Sequence, residues 1–128
     1  MKRNIIHDGV SIKIFETDDP QKVIIHFTDE ITAFNKIKKA VIKDKGVYCN
    51  GISCEISRLL QKGGVPTHFI EQISDTEQLC WKSQVIPMEV IVRNVIAGSM
   101  AQRLGLEEGI IPKEPVYDLC YKSVSYTH

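Results

Sequence analysis

The run Met88-Glu89-Val90-Ile91-Val92-Arg93-Asn94-Val95-Ile96-Ala97-Gly98-Ser99 constrains this chain more than any other segment. It is the most apolar stretch, long enough for one strand through the middle of a sheet, yet Glu89 and Arg93 lie inside it. A strand sends alternate side chains to opposite faces, so Glu89, Ile91 and Arg93 share one side while Val90, Val92 and Asn94 share the other. Two opposite charges therefore look out of one face. Directly afterwards Gly98 and Ser99 open a short helical pattern. Its first backbone N–H groups point back toward the strand end beside Arg93, an arrangement suited to an anion such as a phosphate. Two structural readings use the same residues: Glu89 and Arg93 as a buried ion pair, and Ser99 with Gln102 as a capping box. Spacing alone does not separate them.

With 128 residues, 43% of them apolar, the chain has the size of one ordinary domain, or of one lobe and part of another. Sixteen basic and sixteen acidic residues cancel, so the molecular field favours neither nucleic acid nor an anionic membrane as partner. Any anion site must be local. The start, Met1-Lys2-Arg3-Asn4-Ile5-Ile6-His7-Asp8, lacks the apolar region of a signal peptide, and no run spans a bilayer, so the chain reads as cytoplasmic. Cys49, Cys54, Cys80 and Cys120 are too scattered for a zinc motif, and His7, His26, His68 and His128 form no metal-like cluster with them. Reduced, packed thiols follow, with no metal site.

Along the chain, Ser11 to Glu16 and Val23 to Phe27 alternate around the turn Thr17-Asp18-Asp19-Pro20, which makes an antiparallel hairpin. Ile31 to Phe34 and Ile37 to Ile42 are further extended segments. Lys36, Lys38, Lys39 and Lys43 mark the second as a solvated edge guarded against aggregation. From about Val47 to Lys62 the period becomes helical, with Ile52, Ile56, Leu59 and Leu60 on the apolar face, and Gly63-Gly64 ends it. Strands are expected at His68 to Ile70, Leu79 to Ile86 and Val116 to Tyr121, with a turn at Ser74-Asp75 and a short helix from Met100 to Leu104 that stops at Gly105. The fold class is α+β: an antiparallel β-sheet lobe with one long packed helix, followed by the start of an incomplete second lobe. Residues 1–80 are expected to form the antiparallel-sheet lobe, with its helix near 47–62, and residues 81–128 a partial second lobe with the strand of the opening run and the short helix.

No nucleophile triad, P-loop or dinucleotide fingerprint occurs. An ordered set of short segments does occur. Gly63-Gly64-Val65-Pro66-Thr67-His68-Phe69, Ile86-Pro87-Met88-Glu89-Val90-Ile91-Val92-Arg93-Asn94, Ala97-Gly98-Ser99 and Arg103-Leu104-Gly105-Leu106-Glu107-Glu108-Gly109, with Thr32-Ala33-Phe34-Asn35, Lys45-Gly46, Asn50 and Ile52-Ser53, closely resemble SAICAR synthetase. The resemblance runs from about Ile12 to Lys122. It implies a purine-biosynthesis ligase that uses ATP and Mg2+ to join aspartate to an aminoimidazole carboxylate ribonucleotide through an acyl phosphate. It also implies that Glu89, Arg93 and Ser99 bind the ribonucleotide, in agreement with the anion cradle read from the strand and helix start.

Two departures stand beside the resemblance. The family's Gly-Lys-Ala-Lys type hairpin segment, which holds ATP phosphates, reads here Gly9-Val10-Ser11-Ile12-Lys13, so Val10 and Ile12 replace two lysines. Each lost charge-assisted contact is worth about 1.5–3 kcal/mol. Lys13 and Lys82 are the remaining candidate cofactor-binding lysines, Lys82 lying in Leu79-Cys80-Trp81-Lys82, where the family reads Leu-Val-Lys-Lys. Trp81 either stacks on a base or fills space. The second departure is length: the family runs to about twice this size, consistent with two lobes of ordinary dimensions, and its second half supplies acidic residues for magnesium. The expectation is a SAICAR synthetase-like chain whose catalysis needs that second half, from a second chain or otherwise. The alternative is a non-catalytic ribonucleotide-binding module or a homo-oligomerising remnant of the enzyme.

Overall fold

In the computed structural model, residues 4–33 and 38–121 are described. In chain order the strands are β1 (Ile5–Asp8), β2 (Ile12–Glu16), β3 (Lys22–Phe27), β4 (Glu30–Ala33), β5 (Lys38–Val41), β6 (Phe69–Gln72), β7 (Glu77–Trp81), β8 (Met88–Arg93) and β9 (Val116–Tyr121). The helices are α1 (Lys45–Lys62) and α2 (Ser99–Leu104). The chain divides into two compact units, Met1–Ser83 and Gln84–His128.

In the first unit, five antiparallel strands lie in the order β1-β2-β3-β7-β6, and β4 and β5 form a separate two-stranded hairpin. The expected hairpin is β2 and β3, paired from Ile12 opposite Phe27 to Glu16 opposite Val23. Its turn is held locally, since the Gln21 N–H donates to Asp19 Oδ1 at 2.9 Å and the Asp19 N–H to Thr17 Oγ1 at 3.1 Å. β1 was not expected, because Ile5 and Ile6 form too short a run to signal a strand. It is made by pairing with β2 at the sheet edge. Lys38 and Lys39 on β5 are exposed, as an edge strand requires. Phe34, Asn35, Lys36 and Ile37 lie outside the described residues, as does Lys122 to His128. The extended run expected from Leu79 to Ile86 stops at Trp81, after which the backbone leaves the sheet.

α1 starts at Lys45 through a contact remote in sequence. Asp44 precedes it with φ 63° and makes no side-chain cap. Asp29 supplies the cap instead, Oδ1 accepting from the Gly46 N–H at 2.8 Å and Oδ2 from the Asp44 N–H at 3.2 Å. A carboxylate there satisfies orphan donors and meets the positive end of the helix dipole. Lys45 Nζ donates to the Thr28 carbonyl at 2.8 Å, and a Cβ on Gly46 would lie 2.6 Å from the Phe27 carbonyl oxygen. Lys45-Gly46 is thus the pair that docks the helix start.

The helix meets the sheet with a face opposite in character to the expected one. Gly46, Asn50, Cys54 and Ser57 are buried, whereas Ile52, Ile56, Leu59 and Leu60 are exposed. Polar groups choose the inward side: Asn50 Nδ2 donates to the carbonyls of Ser74 and Asp75, both at 3.0 Å, and lies 3.4 Å from that of Glu77. The Cys54 thiol donates to Gln78 Oε1 at 3.3 Å. Val23, Ile24, Phe69 and Cys80 complete this core, where burial pushes the Cys80 thiol up to about 11. All four cysteines are free.

In the second unit β8 and β9 form an antiparallel two-stranded ribbon, from Met88 opposite Tyr121 to Arg93 opposite Val116. The alternation expected in β8 is present, with Glu89, Ile91 and Arg93 half-buried and Met88, Val90 and Val92 exposed. Its expected place in the middle of a sheet is corrected, because among the described residues β9 is its one ladder partner. Ile96, Met100 and Ala101 form the unit's small core, with Val116 against it. α2 ends at Gly105 in the left-handed conformation, φ 64°, as its glycine permits. Among the described residues no helix is long and apolar enough to cross a membrane.

Candidate functional site

Arg93 ends β8, and what holds it is Asp118 of β9. In the ribbon register Arg93 faces Val116, so Asp118, two residues along on the same face, is its diagonal neighbour. Arg93 Nε and Nη2 donate to Asp118 Oδ2 at 3.1 and 3.0 Å, and Nη1 lies 3.5 Å from the Ala97 carbonyl. From α2, Arg103 Nη2 donates to both Asp118 oxygens, at 2.9 and 2.8 Å. The Asp118 side chain is 8% exposed, that of Arg93 17% and that of Arg103 38%. One carboxylate therefore orients two guanidiniums, and the cluster keeps a net positive charge with Arg103 as its wetter end. Hydrogen bonds from Arg103 first, and then Arg93, hold the Asp118 carboxyl below the usual range against the opposing effect of burial. The same carboxylate raises the Arg103 guanidinium.

Both structural readings of the apolar run are corrected. Arg93 pairs with Asp118 and not with Glu89. Glu89 lies on the same face of β8, half-buried, opposite Cys120. Ser99 is the first helical residue, exposed, and the residue in the capping position is Gly98, with no side-chain cap bond; the capping box with Gln102 does not form. The Gly98 N–H instead donates to Glu108 Oε1 at 2.8 Å, so one donor of the expected cradle is already met by a carboxylate of the chain.

The candidate cofactor lysines lie in the first unit and are not brought together. Lys13 Nζ is 3.0 Å from Asp8 Oδ1, which raises its pKa, and it borders a hollow with His26, Thr28 and Asp29. Lys82 borders a different hollow of about 330 Å³, with Glu16, Asp18, Asp19 and Lys22. Lys22 Nζ stands 5.4 Å from the centre of the half-exposed Trp81 ring, which gives the indole a cation–π partner from its own cross-strand neighbour. Where Val10 stands, its carbonyl accepts from the Thr28 hydroxyl, closing the β1–β2 connection onto the sheet. No cluster of three His, Cys, Asp or Glu side chains suited to a metal occurs among the described residues.

The family model for SAICAR synthetase matches residues 5–127. The chain belongs to the SAICAR synthetase family. It is 52% identical over 121 residues to the phosphoribosylaminoimidazole-succinocarboxamide synthase of Clostridium acetobutylicum, covering 94% of this chain and 52% of that protein. Among solved structures, the corresponding synthase of Ehrlichia chaffeensis superposes with a TM-score of 0.85 at 40% identity, covering 94% of this chain and 51% of that one. A SAICAR synthetase solved in complex with ADP gives 0.84 at 38% identity, with the same coverages. The chain spans about half the length of the curated relatives it matches. The SAICAR synthetase fold thus accounts for the α+β architecture expected from the sequence.

Asp118 and Arg103 are the members of the cluster that reading the sequence missed. The signal was present in the alternation of β9, where Val116, Asp118 and Cys120 share a face, but it has meaning only once β9 is paired with β8. Arg103 sits within a family-like segment whose function in the cluster depends on the α2 placement.

Proposed function

We propose that this chain serves purine biosynthesis as the ribonucleotide-holding part of a SAICAR synthetase, with Glu89, Arg93 and Ser99 of the second unit at the ribonucleotide. The buried Asp118 that fixes Arg93 and Arg103 carries this reading. Orienting a guanidinium before the ligand arrives removes part of the ordering cost of binding, and the cluster's excess positive charge suits a phosphate monoester. Glu89 accepts from sugar hydroxyls or an amino group, and the exposed Ser99 hydroxyl adds a donor. The first unit takes the nucleotide-side role. ATP is the phosphoryl donor of the proposed reaction, in line with the relative solved with ADP. Val10 and Ile12 and the separation of Lys13 from Lys82 make the Arg93 cradle of the second unit the better supported of the two ligand sites.

The test is a thermal-shift and calorimetric titration with the aminoimidazole carboxylate ribonucleotide, alongside coupled detection of ADP release in the presence of ATP, Mg2+ and aspartate. A ligand that binds the folded state raises its melting temperature. The ribonucleotide is expected to stabilise the chain, Arg93→Ala to abolish that shift, and ADP release to stay at background. No shift in the wild-type chain refutes the binding reading, and sustained turnover refutes ribonucleotide holding as the whole of its role.

A further inference from the structure

Gly98, the residue before Ser99, holds a backbone conformation that packing does not impose. Its φ of 59° and ψ of −136° form a combination that residues with a Cβ rarely adopt. A Cβ built on it would meet nothing within 4 Å, so no neighbouring side chain wedges the turn into place. Hydrogen bonds hold it from both ends instead. The Gly98 carbonyl accepts from the Gln102 N–H at 3.2 Å, and the Gly98 N–H donates to Glu108 Oε1 at 2.8 Å. The first is an ordinary bond of a helix start; the second comes from a side chain ten residues away. Glu108 can supply it because the backbone on either side of it is tied to the unit's small core. The Leu106 N–H donates to the Ala101 carbonyl at 3.0 Å and the Gly109 N–H to the Ile96 carbonyl at 2.9 Å, while the Ile96 N–H donates to the Ile110 carbonyl at 2.8 Å. Ile96 and Ala101 are buried. Two short segments thus run side by side, closed at Ile96 by an antiparallel bridge and at Gly98 by the Glu108 carboxylate.

We propose that Glu108 is a positioning residue of the ribonucleotide site: its carboxylate fixes the Gly98 peptide and, through it, the direction of the Ser99 hydroxyl. The inference rests on the reading that puts Arg93 and Ser99 at the ribonucleotide. Ser99 is exposed and follows Gly98 directly, so any rotation about the Gly98 backbone swings the bond that carries its side chain. A glycine released from the Glu108 bond populates several conformations, and a ligand would then have to order the turn as it binds. The acceptor oxygen matters here, and the charge does not. A negative charge this close to Ser99 does nothing to attract a phosphate, so what Glu108 contributes is the oxygen that receives the Gly98 N–H. Glutamine keeps such an oxygen without the charge, and alanine removes both.

Calorimetric titration of the full chain with the aminoimidazole carboxylate ribonucleotide tests this, with amide hydrogen exchange as the check on structure. Glu108→Ala is expected to weaken binding about three- to tenfold and to speed exchange at Gly98, while the protection of β8 and β9 stays in place. Glu108→Gln restores both the affinity and the slow exchange at Gly98. In a Ser99→Ala background the loss caused by Glu108→Ala shrinks to less than about twofold, because both residues act through one hydroxyl. Three results overturn the proposal while leaving ribonucleotide binding intact: an unchanged affinity in Glu108→Ala, an equal loss with and without the Ser99 hydroxyl, or a Glu108→Gln variant as weak as Glu108→Ala. Protection lost throughout β8 and β9 in Glu108→Ala marks a merely structural role and overturns it too. If the wild-type chain does not bind the ribonucleotide, the proposed function falls, and this role of Glu108 falls with it.

Discussion

Replacing Asn50 by alanine tests the most consequential polar contact in the first unit. Asn50 is fully buried, and its amide nitrogen reaches the carbonyls of Ser74 and Asp75 in the β6–β7 connection, both at 3.0 Å, and that of Glu77 at the start of β7 at 3.4 Å. An amide has two hydrogens, so two good bonds and a shared weaker one tie α1 to that turn. Each net hydrogen bond contributes about 1 kcal/mol, and carbonyls stripped of a partner at a part-buried site add about 1–2 kcal/mol, so the expected loss is about 3 kcal/mol. For a unit of this size that corresponds to a fall in melting temperature of about 12–24 °C. Urea unfolding followed by the fluorescence of Trp81, which lies on β7 beyond the same turn, measures it. Asn50→Asp sharpens the test, because a carboxylate cannot donate and would face three oxygens. Burial and those oxygens raise its folded pKa, so its deficit grows as pH rises above the unfolded carboxyl value of about 3.9 and shrinks as the side chain is protonated and regains a donor. A loss under about 1 kcal/mol for Asn50→Ala, or an Asn50→Asp deficit independent of pH, refutes the reasoning.

Gly46→Ala is expected to destabilise the first unit by about 1–3 kcal/mol, since its Cβ would press on the Phe27 carbonyl at the helix start; a urea midpoint within error of wild type contradicts this. The second unit is expected to weaken in acid. Asp118 has a depressed folded pKa, so its stabilising contribution is present above the ordinary carboxylate value and is lost as pH falls through the folded one. Amide exchange in β8 and β9 should accelerate below about pH 4, and Asp118→Asn should remove that acid dependence while weakening the unit at neutral pH.

How much was legible depended on the range of the forces involved. The β2–β3 hairpin was readable because the alternation and the Thr17-Asp18-Asp19-Pro20 turn are local. The α1 stripe was also readable, but its direction was not. A helical period identifies a face without saying what it meets, and the inward side was decided by Asn50 reaching carbonyls 24 to 27 residues away. In the candidate site Arg93 was visible as a charge in an apolar run. Its partner was not, because Glu89 on the same strand is the obvious local choice and Asp118 comes within reach only through the β8–β9 register. The capping box failed for a local reason of its own: Gly98 takes φ 59° and ψ −136°, which puts Ser99 inside the helix, where its hydroxyl no longer caps.

The Asp29 cap at the start of α1 bears on the order in which the first unit assembles. The helix has no acidic residue in its first turn and no side-chain cap of its own, so its opening N–H groups rely on a carboxylate located just beyond β3. An isolated α1 segment would have to pay the cost of nucleation without that partner and with its larger apolar residues in water. The β2–β3 hairpin, built from contacts close in sequence, is expected to bring Phe27, Thr28 and Asp29 into position before the helix condenses on them. High φ-values in the hairpin with low ones in α1 are the signature of that order, and the reverse pattern refutes it.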